Sequence, residues 1–242
     1  MLVKQTLLEV SIQDSGYEEN HKVVEDLSFS ISRDEIVGLI GPNGAGKSTT
    51  IKTILGLLEN TNGTIDFINN HTYAYIPERP VFYDELTLWE HLDLAAGVME
   101  IEETQFKERA MKLVELFHME KVIHKLPSTF SKGMQQKVMI ISAFLIKPDI
   151  YIIDEPFIGL DPMAMQDLLS LIDQEKRRGA GILMSTHVLD TAEKVCDRFV
   201  LVAGGRLKAE GNLDDIRNKA GLPDAPLLQC FNQIVQGEAV HE

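Results

Sequence analysis

Apolar and polar residues alternate along the first 40 positions. They do so in Leu7-Leu8-Glu9-Val10-Ser11-Ile12 and again from Val23 to Ile31, the period of strands with one buried face. The run Ile36-Val37-Gly38-Leu39-Ile40 has no polar side chain, as in a strand covered on both faces, and it leads straight into a glycine-rich segment. Residues 63–76, GTIDFINNHTYAYI, predict two short strands split by Asn69-Asn70-His71, both expected to join the N-terminal sheet. From Leu88 the period lengthens. Phe106, Ala110, Leu113, Val114 and Phe117 share one helical face, and a further helix is predicted from Lys132 to about Lys147, where Pro148 stops it. Residues 86–147 thus form a predicted helical insert. After Pro148 come the strand IYIID, a polar helix from Met163 to Arg178, the apolar strand GILMS and a final strand FVLVAGGRL. This β-α-β order predicts a parallel sheet. From Ile216 onward, two prolines and no clear period suggest a short helix with a frayed end.

Composition narrows the function classes. The 242 residues, 44% of them hydrophobic, suffice for a substantial core. The longest apolar stretch, Val138 to Ile146, is broken by Ser142 and falls short of the roughly 18 residues that cross a bilayer. The N-terminus turns polar by Gln13 without a secretory h-region, so a cytosolic location is expected. A net charge of −14 opposes binding to phosphate backbones, and nucleic acid is not an expected partner. Cys196 and Cys230 have no metal-ligand spacing and read as reduced and structural.

Candidate chemistry begins at Gly41-Pro42-Asn43-Gly44-Ala45-Gly46-Lys47-Ser48, which fits G-x-x-x-x-G-K-[ST] between a buried strand and a helix-forming run, Thr49 to Leu57. Backbone N–H groups of such a loop converge on phosphate oxygens, and the helix start adds positive potential. Lys47 reaches the terminal phosphates, and the Ser48 hydroxyl suits Mg²⁺. The loop alone does not identify the reaction, since GTPases, kinases and helicases share it.

Further on, the strand IYIID ends in two carboxylates. Asp154 can hold Mg²⁺, partly through water, while Glu155, pointing another way, can polarise an attacking water. Alone this is an ordinary acidic strand end; downstream of a phosphate loop it is a catalytic pair. The apolar strand Ile182 to Thr186 ends at His187, whose imidazole could touch the γ-phosphate. His21, His71, His91, His118, His124 and His241 read as polar surface.

With these residues in place, the chain resembles the ABC ATPase family from about Leu7 to Gly211. In the family's terms, GPNGAGKST (Gly41 to Thr49) is the Walker A loop, YIIDE is Walker B with catalytic Glu155, and His187 is the switch histidine. Gly159-Leu160-Asp161-Pro162 is similar to the D-loop, where Asp161 stands. Tyr17 resembles the aromatic that stacks on adenine, and an exposed turn tyrosine after Gly16 is the alternative. The family signature LSGGQ appears as Phe130-Ser131-Lys132-Gly133-Met134-Gln135, with Lys132 and Met134 as departures. Where most members carry glutamine, Tyr75-Ile76-Pro77 leads to Glu78, a carboxylate able to ligate the metal but repelling the γ-phosphate. YIPE, LTLWEHL and FSKGMQQKVMI together resemble most the ATPase subunit of Ecs-type bacterial transporters.

The resemblance implies an α/β P-loop NTPase with a RecA-like parallel core, an N-terminal antiparallel β subdomain and an inserted α-helical subdomain. As one ABC ATPase domain over 1–242, it would comprise a nucleotide-binding core (1–80 and 148–215), the helical signature subdomain (81–147) and a short tail (216–242). It also implies ATP and Mg²⁺ as cofactors. The signature of one cassette closes over ATP held by another, so a second ATPase subunit is implied, and both can be this chain. Work would pass to a separate integral-membrane permease that holds the protein at the inner face of the cell membrane. Pro80 to Thr87, with Trp89 behind, is the candidate docking surface; internal packing of the same residues is the alternative. An ABC-class ATPase not engaged in transport is the rival function, although such proteins usually carry two cassettes or a coiled coil. A GTPase would need a guanine-reading NKxD, but Asn218-Lys219 is followed by Ala220-Gly221.

Overall fold

The computed structural model describes residues 5–19 and 21–238, so His241 and the chain end lie outside the described residues. β1 (Thr6–Gly16), β2 (Val24–Ser32) and β4 (Asn60–Phe67) form an antiparallel sheet in the order β2-β1-β4. The second sheet has the order β5-β6-β7-β3-β8-β9. It is built from β3 (Glu35–Ile40), β5 (Tyr73–Ile76), β6 (Ile150–Asp154), β7 (Gly181–Thr186), β8 (Arg198–Ala203) and β9 (Arg206–Gly211). Its first five strands run parallel.

Side-chain alternation assigns each sheet face to its own core. Ile150, Ile152, Leu183, Val37, Leu39 and Val200 point toward the antiparallel sheet and α1 (Lys47–Ile54). Tyr151, Ile153, Ile182 and Met184 point the other way, into a core shared with α2 (Leu88–Val98), α3 (Glu103–Leu116), α4 (Lys132–Ile146) and α5 (Pro162–Arg178). Strands buried on both faces therefore read as continuous apolar runs. Thr87 caps α2 through a reciprocal capping box with Glu90, and Lys147, at φ 54°, ends α4 immediately before Pro148.

Four expectations need correction. β5 leaves the first sheet and pairs in parallel with β6, because Asn69 and Asn70 adopt left-handed φ values of 53° and 55° and turn the chain away. The segment FVLVAGGRL is two strands: Gly204 and Gly205, at φ 57° and 75°, make the hairpin that sets β9 antiparallel to β8. The tail is two helices, α7 (Leu213–Ala220) and α8 (Leu227–Glu238). Leu227, Cys230, Phe231 and Ile234 of α8 pack with Ile216, Phe199, Leu201 and Ile40 as a third core. Two histidines are structural. His71 lies 3.1 Å from Asp149, and His91 bridges the Thr87 carbonyl (2.8 Å) and the Tyr83 N–H (3.0 Å).

Candidate active site

The loop from Gly41 to Thr49 joins the end of β3 to α1, with Gly46 as the residue preceding the helix. A cavity of about 320 Å³ opens at this helix start. Asn43, Gly44, Gly46, Lys47, Ser48 and Thr49 line it together with Glu78, Glu155 and His187. The Lys47 ammonium is held by the carbonyls of Gly41 (2.9 Å) and Pro42 (3.3 Å) and by Glu155 Oε1 at 3.3 Å. The second Glu155 oxygen lies 2.9 Å from His187 Nδ1. Thus side chains far apart in sequence meet because β3, β6 and β7 end side by side.

Asp154 is buried one residue earlier, its Oδ1 accepting from the Ser185 hydroxyl at 2.5 Å. Tyr75, beside it, has its phenol pushed up to about 12 by burial, with the charges of Asp154 and Glu78 adding to the effect. Ser48, half-buried in the loop, and Asp154 offer a hydroxyl and a carboxylate, a donor set that fits a hard divalent cation keeping part of its water. Glu78 is exposed at the cavity wall.

Other expected site residues lie elsewhere. Tyr17 is half exposed and is not part of the cavity wall; the Lys52 ammonium stands 5.1 Å above its ring. Ser131 caps α4, accepting from the Met134 N–H at 3.3 Å, and Gln135 donates to the Pro127 carbonyl. Met134 packs on the helical core, which accounts for an apolar residue there. Lys132 is exposed at the helix start. None of Ser131, Lys132, Gly133, Met134 and Gln135 lines the cavity.

Gly133 instead meets the Gly159 carbonyl so closely that a Cβ would come within 2.4 Å of its oxygen. Asp161 caps α5 through the Ala164 N–H (2.9 Å) and lies 3.3 Å from the Lys137 ammonium of α4. The start of α4 and the segment leading into α5 are thereby joined.

The segment from Pro80 to Thr87 divides in two. Val81 and Tyr83 are 73% and 63% exposed. Phe82 and Trp89 pack inward, Phe82 edge-on to His91 and Trp89 against Phe106 at 5.0 Å. Sequence reasoning missed Val23 and Ile158, which line the cavity, and Ser185. Ser185 had a signal, a hydroxyl at the end of an otherwise apolar strand.

Comparison with known proteins identifies the family. Residues 24–158 match the family model described as ABC transporter. The chain is 55% identical over 232 residues to the ABC transporter ATP-binding protein YthP of Bacillus subtilis (strain 168), covering 96% of this chain and 98% of that protein. It is 44% identical over 248 residues to the ABC-type transporter ATP-binding protein EcsA of the same organism, covering 98% and 100%. A solved ATP-binding subunit of an ABC transporter superposes with a TM-score of 0.89 at 48% identity, over 95% of this chain and 99% of that one. Among the described residues no helix is long and apolar enough to cross a membrane. The chain belongs to the ABC transporter family, as one of its ATP-hydrolysing, ATP-binding subunits.

Proposed function

We propose that two copies of this chain close around two ATP molecules and that their hydrolysis drives a separate membrane permease. One observation carries the reading. Lys47, Glu155 and His187 converge on a cavity at the start of α1, whereas the signature segment caps a different helix, α4, outside that cavity. A site built from both halves therefore needs a second subunit, whose Ser131 hydroxyl and α4 N-terminus would meet the γ-phosphate.

Within one chain, backbone N–H groups of Gly44 to Thr49 and the Lys47 ammonium bind the phosphates, and Glu155 accepts a hydrogen bond from the attacking water. His187 holds the Glu155 carboxylate through Nδ1. Ser48 and Asp154 would hold Mg²⁺, with Glu78 as an added ligand, and the ion supplies charge neutralisation of the transferring phosphoryl group. Tyr17 would stack on adenine through its exposed ring.

The exposed face of the segment around Val81 and Tyr83 is the proposed contact with the permease, which would keep the protein on the cytoplasmic side of the cell membrane. The relationship to EcsA, a transporter ATP-binding protein, supports this assignment. Purifying the tagged protein from detergent-solubilised membranes and identifying its companion tests the reading. Recovery of this chain without an integral-membrane protein would refute it.

A further inference from the structure

Ser185 sits opposite Asp154 in the β6–β7 ladder and is fully buried. Its hydroxyl donates to Asp154 Oδ1 at 2.5 Å and accepts from the backbone N–H of Glu155 at 3.1 Å. That N–H is shared with the Ser185 carbonyl, at 3.2 Å. One serine therefore ties together both carboxylate-bearing residues of the site. A hydroxyl has one proton to give, and with the Glu155 N–H supplying the other bond, that proton belongs to Asp154.

Both targets need such a hold. The carboxylate torsion of an aspartate is broad and soft, and a charge-assisted O–H···O bond to Oδ1 fixes it while leaving Oδ2 available. Glu155 has φ 49°, a left-handed backbone unusual for a residue with a Cβ, and this turn is what carries its side chain to Lys47 and His187. The neighbouring hydroxyl does not take this place, because successive strand residues face opposite sides of the sheet, and Thr186 Oγ1 accepts from the Val188 N–H at 3.0 Å.

We propose that Ser185 is a positioning residue of the ATPase site, orienting Asp154 for the divalent cation and Glu155 for the attacking water. The inference rests on the roles proposed above for those two residues. Ser185→Ala in the full chain should bind a fluorescent ATP analogue in EDTA as the wild type does. Its affinity for Mn²⁺ in the presence of the nucleotide, read by electron paramagnetic resonance, should fall about 10–100-fold, with a matching fall in kcat and little change in KM. Ser185→Thr keeps the hydroxyl and should recover most of the loss.

Wild-type Mn²⁺ affinity and kcat in Ser185→Ala would overturn the proposal. So would equal losses of EDTA nucleotide binding, Mn²⁺ affinity and thermal midpoint, which would mark a purely structural serine, or a threonine variant no better than alanine. Glu155→Gln, assayed in parallel, separates the two levels: full turnover in that variant removes the parent assignment itself, whatever Ser185 does.

Discussion

The ammonium of Lys47 lies 3.3 Å from Glu155 Oε1, and the two side chains are only 6% and 8% exposed. If Lys47 binds the γ-phosphate as proposed, an arriving nucleotide would compete with Glu155 for that ammonium, linking phosphate binding to release of the Glu155 carboxylate. Lys47→Ala removes the ammonium proposed to bind the phosphates and leaves the buried Glu155 without the cation at its Oε1. ATP turnover should vanish, and unfolding in urea should show a loss of about 1–3 kcal/mol.

Glu155→Gln keeps the shape and an oxygen for Lys47 but can no longer take up a proton. Turnover should fall about 10²–10⁴-fold while ATP affinity persists. Size-exclusion chromatography with ATP and Mg²⁺ should then show a dimer that the wild type loses as it hydrolyses.

Glu78 stands exposed on the cavity wall, where a neutral amide is usual in the family. Glu78→Gln should retain ATPase activity, with half-saturation by Mg²⁺ moving to a higher concentration if Glu78 is the added ligand proposed above. A Mg²⁺ titration of initial rates reads this directly. Loss of activity would show that the carboxylate has an essential task.

Val81 and Tyr83 point outward whereas Phe82 packs on the helical core. Val81→Asp with Tyr83→Asp should detach the protein from membranes at an unchanged melting temperature and ATP affinity. Phe82→Asp should instead lower the melting temperature, since an unpaired charge has no place in that core. Membrane fractionation beside a melting curve separates the two, and a stable double variant that still fractionates with membranes would exclude the surface as the permease contact.

Both thiols are held above their ordinary range. Burial, reinforced by Asp197, pushes the Cys196 thiol up to about 12, and burial also raises Cys230. Raised thiols stay protonated at pH 8, and the thiolate is the species that alkylates. Iodoacetamide should leave the native mass unchanged and add two groups only after denaturation.

Much of this arrangement was legible in the chain. A loop between a fully apolar strand and a helix can be read locally, and so can carboxylates or a histidine at the ends of apolar strands. Strand partnership is not local. Tyr73–Ile76 has the alternation of a sheet edge, and nothing within it says that β6, on the far side of the helical insert, is its neighbour. Leu227, Cys230, Phe231 and Ile234 follow helical spacing, but the preceding prolines and a short window hid α8. Ser185 was visible as a polar interruption, yet only the β6–β7 register reveals that it faces Asp154.

The helical insert is a crossover between β5 and its parallel neighbour β6: it leaves the sheet after Ile76 and returns at Ile150, beside Tyr73, where the Asp149 and Ile150 N–H groups both donate to the Thr72 carbonyl (3.1 and 3.0 Å). Asp149 also ties down the Thr72 N–H and His71. A crossover that joins two strands already paired with each other can be exchanged without altering the register of any remaining strand. This makes residues 77–148 a natural unit for grafting. A chimera carrying the corresponding stretch of a relative should keep the phosphate loop, Asp154 and His187 on their own scaffold while acquiring the other protein's signature and outward-facing surface, so that partner choice becomes transplantable separately from the chemistry.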